Sequence, residues 1–465
     1  MTSSVGLVRQ LGVVSATALV VSNMVGTGIF TASGFLAGDL GDPGLFFLIW
    51  VVGALVSLAG AFCYSELAVN FPSSGGEYVY LTKAYGPVWG FLSGWASLFA
   101  GFSAPIAAAA LGVAGYLAYF FPALRADQLL FRVGPEWFLV RVGGAQVVAC
   151  GLIALLTALN LVGVERAARF QNVLTAAKLI VLVAFVGLGF LVGTGDWAHF
   201  SQTTARTSTA PLFSQFAISL CFIYMAYSGW NAATYVAEEI REPGRTLPRA
   251  LAAGTALVAT LFLALNAVFL YAAPLSEMKG VLAIGSLAAS KLFGSGIAGV
   301  FSALMALSLV PTVNAMVTIG PRIYFAMARN GAFLPIAAEV HPRWRTPAWA
   351  ILLQGGLAML MTLTPFPSLL TFIGLTLNFF AVLAVASLFR FRQRPGWVRL
   401  PALSAGWPLA PVLFMAVGVW MTVYGFILAP RVSFSTLALM AVGALLHQQS
   451  AKPGAAQAVC GDVAG

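Results

Sequence analysis

The chain has 465 residues, of which 60% are hydrophobic and 8% charged, with a mean hydropathy of +0.92 and a formal charge of +10. A soluble domain carries about 25% charged residues, so the composition excludes one and leaves an integral membrane protein with little mass outside the bilayer. The positive charge does not point to nucleic acid, because no basic cluster coincides with an aromatic stacking platform.

Twelve apolar stretches follow in order, each near the length a helix needs to cross about 30 Å of hydrocarbon. They cover 12–38, 44–66, 86–121, 142–162, 169–193, 212–238, 247–273, 294–328, 346–364, 367–390, 407–429 and 431–449. The expected fold is an all-α polytopic membrane protein with one membrane domain. The first stretch is too long for a signal h-region, so no cleavable signal peptide is expected. The tail, 450–465, is rich in Ala and Gly and is expected to be disordered.

Charge gives the topology. With the N-terminus inside, 16 Lys and Arg fall on the cytoplasmic side, 7 on the outer side and 1, Lys178, within a span. The positive-inside rule then puts both termini in the cytoplasm, as expected for a cell (inner) membrane protein. Cys63, Cys150, Cys221 and Cys460 show neither disulfide nor metal spacing. They read as small apolar packing residues, and no metal or cofactor is expected.

The first and sixth stretches are interrupted. Ser22-Asn23-Met24-Val25-Gly26-Thr27-Gly28-Ile29-Phe30 breaks one, and Met225-Ala226-Tyr227-Ser228-Gly229-Trp230-Asn231 breaks the other. Broken helices within a membrane are tolerated only where buried in protein or lining a cavity. Five spans precede the second break. Because five is odd, a second unit starting there enters the membrane in the opposite orientation. The parity gives an inverted repeat, 12–193 against 212–391, with two added helices over 407–449. Such repeats place a substrate near the midplane, where the half-helices meet.

Each break exposes backbone N–H groups on one half-helix and C=O groups on the other. The N–H end suits a carboxylate and the C=O end an ammonium, so the pair is complementary to an amino acid head group without charged side chains. The candidate substrate-binding residues are Val25, Gly26, Thr27, Gly28 and Ile29 at the first break. Those at the second are Met225, Ala226, Ser228 and Gly229. Glycine at 26, 28 and 229 permits close backbone approach.

These residues resemble the amino acid–polyamine–organocation (APC) superfamily, most closely its L-amino-acid transporter branch. Gly26-Thr27-Gly28-Ile29-Phe30 is similar to its first-span signature. Glu66-Leu67 with Pro72-Ser73-Ser74-Gly75-Gly76-Glu77-Tyr78 is similar to the segment after its second span. Ala226 to Asn231, then Glu238-Glu239-Ile240-Arg241-Glu242-Pro243, is similar to its sixth span and following loop. Gly320-Pro321-Arg322 with Ala326 to Gly331 fits the end of its eighth. The resemblance implies a five-plus-five inverted repeat and secondary transport of amino acids or related amines. Two positions depart from the pattern. Met225 stands where an aromatic gate is usual, and Pro311 interrupts the eighth span where small residues are usual. Tyr227 and Trp230 are further gate candidates, with packing the favoured role for both. Asn231 and Asn314 are candidates to bond unwound backbone or to join helices.

Lys178 is the only lysine or arginine well inside a span. It lies nine residues after Arg169, roughly 14 Å along a helix at 1.5 Å per residue, near the middle of the membrane. A charge at that depth is a functional candidate by default. The resemblance implies that it replaces a sodium ion between the first and eighth spans, near Gly26 and the Ser308–Thr312 stretch. A buried ammonium gives up its proton more readily, so Lys178 is either a proton carrier or a fixed strut. The fourteen Asp and Glu and the three His all read as loop or span-end residues. Glu77 falls among them, and no acid–base relay crosses the core.

No acidic side chain is expected to meet a second cationic group of a substrate, and no arginine a second carboxylate. The expected function is import of neutral amino acids by proton symport. Sodium-independent exchange, or transport of cationic amino acids or polyamines, are the alternatives. An enzyme is excluded by the lack of intramembrane nucleophile–base pairs, and a channel by the lack of filter-like repeats. The outer loop 122–141 has no cysteine, so no disulfide-linked partner subunit is expected.

Overall fold

A computed structural model of the chain describes residues 11–450 apart from 73–74, 126–127, 134–139, 163 and 345. The tail expectation for 451–465 and motif residues Ser73 and Ser74 lie outside the described residues. The described chain is helical except for loops and one hairpin. Helix α1 (Val13–Met24) and α2 (Thr27–Leu40) form the first broken span, and α3 (Pro43–Asn70) returns. The short α4 (Glu77–Tyr85) leads into a third span made of α5 (Pro87–Ala96), a π-helical turn (Ser97–Ser103) and α6 (Ala104–Leu117). A hairpin of β1 (Leu129–Val133) and β2 (Val140–Gly143), antiparallel, follows, an element absent from the all-α expectation. Helices α7 (Gly144–Val162) and α8 (Val164–Leu191) complete the first half.

The second half opens with α9 (Leu212–Tyr227), broken and continued as a 3-10 segment (Ala232–Glu239), then α10 (Pro243–Ala272). Short α11 (Leu275–Met278) and α12 (Ile284–Phe293) precede α13 (Ser295–Arg329), α14 (Ala348–Met361) and α15 (Phe366–Phe391). After α16 (Pro401–Ala405), α17 (Leu409–Leu428) and α18 (Pro430–Ser450) close the described chain. Among the described residues ten helices are long and apolar enough to cross a membrane. The two remaining expected spans fall on shorter apolar stretches, Ala176–Leu191 of α8 and the 14-residue α14. The count of twelve thus rests on including these two.

The packing explains how a sequence apolar all round most helices sorts itself. Helices α1, α3, α9 and α10 pack together, and α6, α7, α8, α13 and α14 form a second group. Helix α3 lies against α10, α6 against α13 and α7 against α14. This is the pairing expected if spans one to five and six to ten are equivalent in opposite orientation. Between helices in a membrane, close packing replaces the hydrophobic drive. The alanine run of α6 supplies it: Ala104, Ala107, Ala108, Ala109 and Ala110 are all fully buried.

One end of the bundle gathers the basic residues. There Arg390 donates to the carbonyl of Ala84 at 2.6 Å, and Arg392 forks onto Glu66 at 2.7 and 2.6 Å. At the opposite end, loops bond to the backbone of α2 and the turn after it. The amide of Gly280 donates to the carbonyl of Gly34 (2.9 Å), that of Thr207 to Gly38 (2.8 Å) and that of Thr204 to Gly41 (2.8 Å).

Candidate functional site

Both sequence breaks are real breaks. Helix α1 stops at Met24, Val25 and Gly26 are extended or irregular, and α2 restarts at Thr27 with no side chain capping its amides. Helix α9 stops at Tyr227, and Ser228 and Gly229 are non-helical, Gly229 with φ +101. That left-handed geometry is open to glycine and strained for other residues. The breaks face one another. A Cβ on Gly28 would lie 2.1 Å from the Cα of Ala226, and one on Gly229 would lie 2.8 Å from the backbone of Asn23. At Gly28 and Gly229 the absence of a side chain serves chain-to-chain approach.

Lys178 reaches this crossing from α8. It is buried (2% exposed), donates to the carbonyl of Val25 and lies 3.4 Å from the carbonyl oxygen of Ser22 and 3.3 Å from the Thr312 hydroxyl. Thr312 Oγ1 donates in turn to the Val25 carbonyl at 3.3 Å. The ammonium therefore bridges α1, α8 and α13, and its acceptors are neutral oxygens. Ser308 is buried one turn away, but its hydroxyl donates to the carbonyl of Met305 at 2.8 Å rather than joining this group. Pro311 leaves α13 continuous; lacking an amide, it cannot bond the carbonyl of Leu307 one turn back.

A cavity with about 830 Å³ of empty space, part of it open to solvent, lies beside the second break. It is lined by Asn23, Ser228, Gly229, Trp230, Asn231 and Tyr235, and by Ser97, Gly101 and Phe102 of the π turn. Pro105 explains that turn: without an amide it cannot bond Gly101 in the α pattern, and π turns in helices often mark functional sites. Among the predicted binding residues, Ser228 and Gly229 line the cavity. Val25, Gly26, Thr27, Gly28, Ile29 and Ala226 lie in the buried crossing beneath it. The Met225 carbonyl already accepts from the amide of Ser228 at 3.1 Å.

The gate candidates separate. Met225 is buried in α9 just before the break, in a cluster that includes Phe35, Phe222 and Phe366. Phe35 sits 5.9 Å from Phe222 and 6.3 Å from Phe366, ring to ring, joining α2, α9 and α15 within this cluster. Tyr227 packs between Trp50 and Phe262 and donates to the carbonyl of Trp50 at 3.2 Å, away from the cavity. Trp230 lines the cavity with its ring 4.7 Å from Tyr64. Asn314 joins helices, accepting from Asn160 at 2.9 Å.

Glu77 is the residue that sequence reasoning missed. It opens α4, is 9% exposed and lines the cavity. Its Oε1 accepts from Tyr64 (3.0 Å) and Asn231 (2.6 Å), and its Oε2 from Tyr235 (2.5 Å). Burial pushes its carboxyl above the ordinary value, and the three donors oppose that. Its reading as a loop residue is corrected: the loop folds inward. Glu77 is thus an acidic side chain on this cavity, and these donors already engage both of its oxygens. The signal was the Gly75-Gly76 pair, which turns the chain back toward the bundle with φ +126 and +52.

Two helices broken face to face within a membrane bundle, beside a cavity, are the arrangement of a secondary transporter. The chain belongs to the amino acid permease family, whose model matches residues 11–446, and the resemblance to the APC superfamily holds. It is 29% identical to the human large neutral amino acids transporter small subunit 2, over 94% of this chain and 80% of that protein. It is also 29% identical to the serine/threonine exchanger SteT of Bacillus subtilis, over 88% of this chain and 90% of that one. The mouse Asc-type amino acid transporter 1 is 28% identical over 92% of this chain and 78% of its own length. The protein is a multi-pass amino acid transporter and not an enzyme. The relatives' names do not support proton symport, and one names an exchanger. Another is named a small subunit, so the expectation of no disulfide-linked partner finds no support there.

Proposed function

We propose that the protein carries neutral L-amino acids across a cell membrane by sodium-independent exchange, through alternating access at the two breaks. The observation that carries this reading is the crossing itself. Free amides at the start of α2 and carbonyls around Ser228 and Gly229 offer opposite partial charges to a zwitterionic head group, and Lys178 holds the first break in the place where the resemblance implies a sodium ion in other members. Val25 through Ile29, Ala226, Ser228 and Gly229 are the proposed head-group contacts. Met225 bounds the site toward the Phe35–Phe222–Phe366 cluster. Relatives named for neutral amino acids, and one for exchange, support the substrate class and the mode.

Lys178 gives a second reading, proton symport, because its ammonium is buried and, among the described residues, its hydrogen-bond partners are neutral oxygens. The basic end is taken as cytoplasmic, with both termini there. Uptake of labelled neutral amino acids into proteoliposomes separates the two modes. Exchange requires internal amino acid and is indifferent to a pH gradient. Symport proceeds into empty vesicles when the gradient is imposed.

A further inference from the structure

Asn231 and Tyr235, which follow the second break, are tied to a loop on the other side of the cavity. The loop's Gly76 brings the Tyr235 ring so close that a Cβ there would lie 2.6 Å from it. The next residue, Glu77, takes one hydrogen bond from Asn231 at 2.6 Å and one from Tyr235 at 2.5 Å. Asn231 also donates to the Tyr235 hydroxyl at 3.2 Å. Tyr64, from α3, donates to Glu77 at 3.0 Å while its ring meets Trp230 edge-on at 4.7 Å. Residues 230, 231 and 235 are thus all fixed to α3 and the start of α4.

Only Trp230 separates Asn231 from Gly229, and the amide of Ala232 closes back onto the Gly229 carbonyl at 2.9 Å. Any shift of Asn231 therefore moves the carbonyls of the break. The carboxylate is buried and its donors are neutral, which makes it costly to bury for packing alone. We propose that Glu77 is a positioning residue for transport: by accepting from Asn231 and Tyr235 at once, it fixes where the Ser228–Gly229 end of the substrate site lies.

This rests on reading the crossing as the transport site. The test measures KM and Vmax for a labelled neutral amino acid in proteoliposomes, for the parent and for Glu77→Ala, Glu77→Gln and Tyr235→Phe. Glu77→Ala removes all three acceptor contacts and is expected to raise KM about tenfold, the scale of one lost hydrogen bond to a charged group. Glu77→Gln keeps a carbonyl acceptor, and its amide can donate to a Tyr235 hydroxyl turned to accept, so KM stays within about threefold of the parent. Tyr235→Phe keeps the ring against Gly76 and loses one donor. It is expected to raise KM about threefold and carries the test if Glu77→Ala does not fold. Monodispersity in detergent establishes folding for each variant.

Unchanged KM in folded Glu77→Ala, or in Tyr235→Phe where the alanine variant is unfolded, overturns the proposal. A folded Glu77→Gln as impaired as Glu77→Ala also overturns it, because the effect would then follow charge and not position. Absence of amino acid uptake by the parent would count against the transport reading instead.

Discussion

The ammonium of Lys178 donates to the carbonyl of Val25, the residue at which the first helix breaks. One side chain from α8 thereby satisfies a carbonyl that the break has removed from the helical pattern, and Thr312 of α13 bonds the same oxygen. A free backbone carbonyl in this buried place would carry a large desolvation cost. Replacing Lys178 by alanine is expected to abolish transport and to destabilise the protein by about 1.5–3 kcal/mol, the range for a lost charged hydrogen bond. Uptake and thermal unfolding of the variant measure the two effects. Any pH dependence of uptake that survives in Lys178→Ala would remove this residue from proton coupling.

Gly28→Ala is predicted to be worse for transport than its size implies. The added methyl would lie 2.1 Å from the Cα of Ala226, and that contact is backbone, which cannot step aside. Overpacking of this kind costs about 1–3 kcal/mol. The expected result is a protein that still reaches the membrane but shows no uptake. Uptake at the parent rate would show that the two breaks are not in contact in the working protein.

At the basic end, Glu66 and Arg392 form a buried bidentate pair, with Glu66 also accepting from the Trp397 indole at 2.8 Å and the Leu400 amide at 3.0 Å. Breaking it from one side strands a charge, a loss of about 3–5 kcal/mol. Glu66→Ala and Arg392→Ala are each expected to lower the unfolding midpoint severely, and the double variant less than the sum. Strict additivity in thermal unfolding would contradict a direct pair.

Glu77 also predicts a pH dependence of stability. Burial raises its carboxyl value in the fold, so the folded protein binds this proton more readily than the unfolded chain. The sign follows: stability from this group is present at low pH and is lost as pH rises through the raised value. As pH rises above the ordinary carboxylate range, the parent is expected to lose stability relative to Glu77→Gln. A constant difference in melting midpoint as pH rises would argue against the raised value.

The broken spans and the lysine were legible because the membrane forbids unsatisfied backbone and unpaired charge. Any glycine interruption or intramembrane lysine therefore stands out in a chain with so few charges. Glu77 was hidden for the converse reason. A carboxylate between two spans has water as its ordinary partner, and only the fold shows that Gly75 and Gly76 turn it inward. The π turn at Ser97–Ser103 was equally hidden, although Pro105 two residues beyond it marks the missing amide. Met225 was legible as a departure from pattern but not as a member of the Phe35–Phe222–Phe366 cluster, which is assembled from three distant segments.

The central claim is that backbone at the two breaks recognises both charged groups of an amino acid. It is tested most directly by competition against uptake of a labelled neutral amino acid in proteoliposomes. The competitors are the same compound with its amino group acetylated, with its carboxylate esterified, or with its carboxylate removed. Only the free zwitterion is expected to compete. Equal competition by the decarboxylated amine would contradict it, because the amides of α2 would then have no carboxylate to hold.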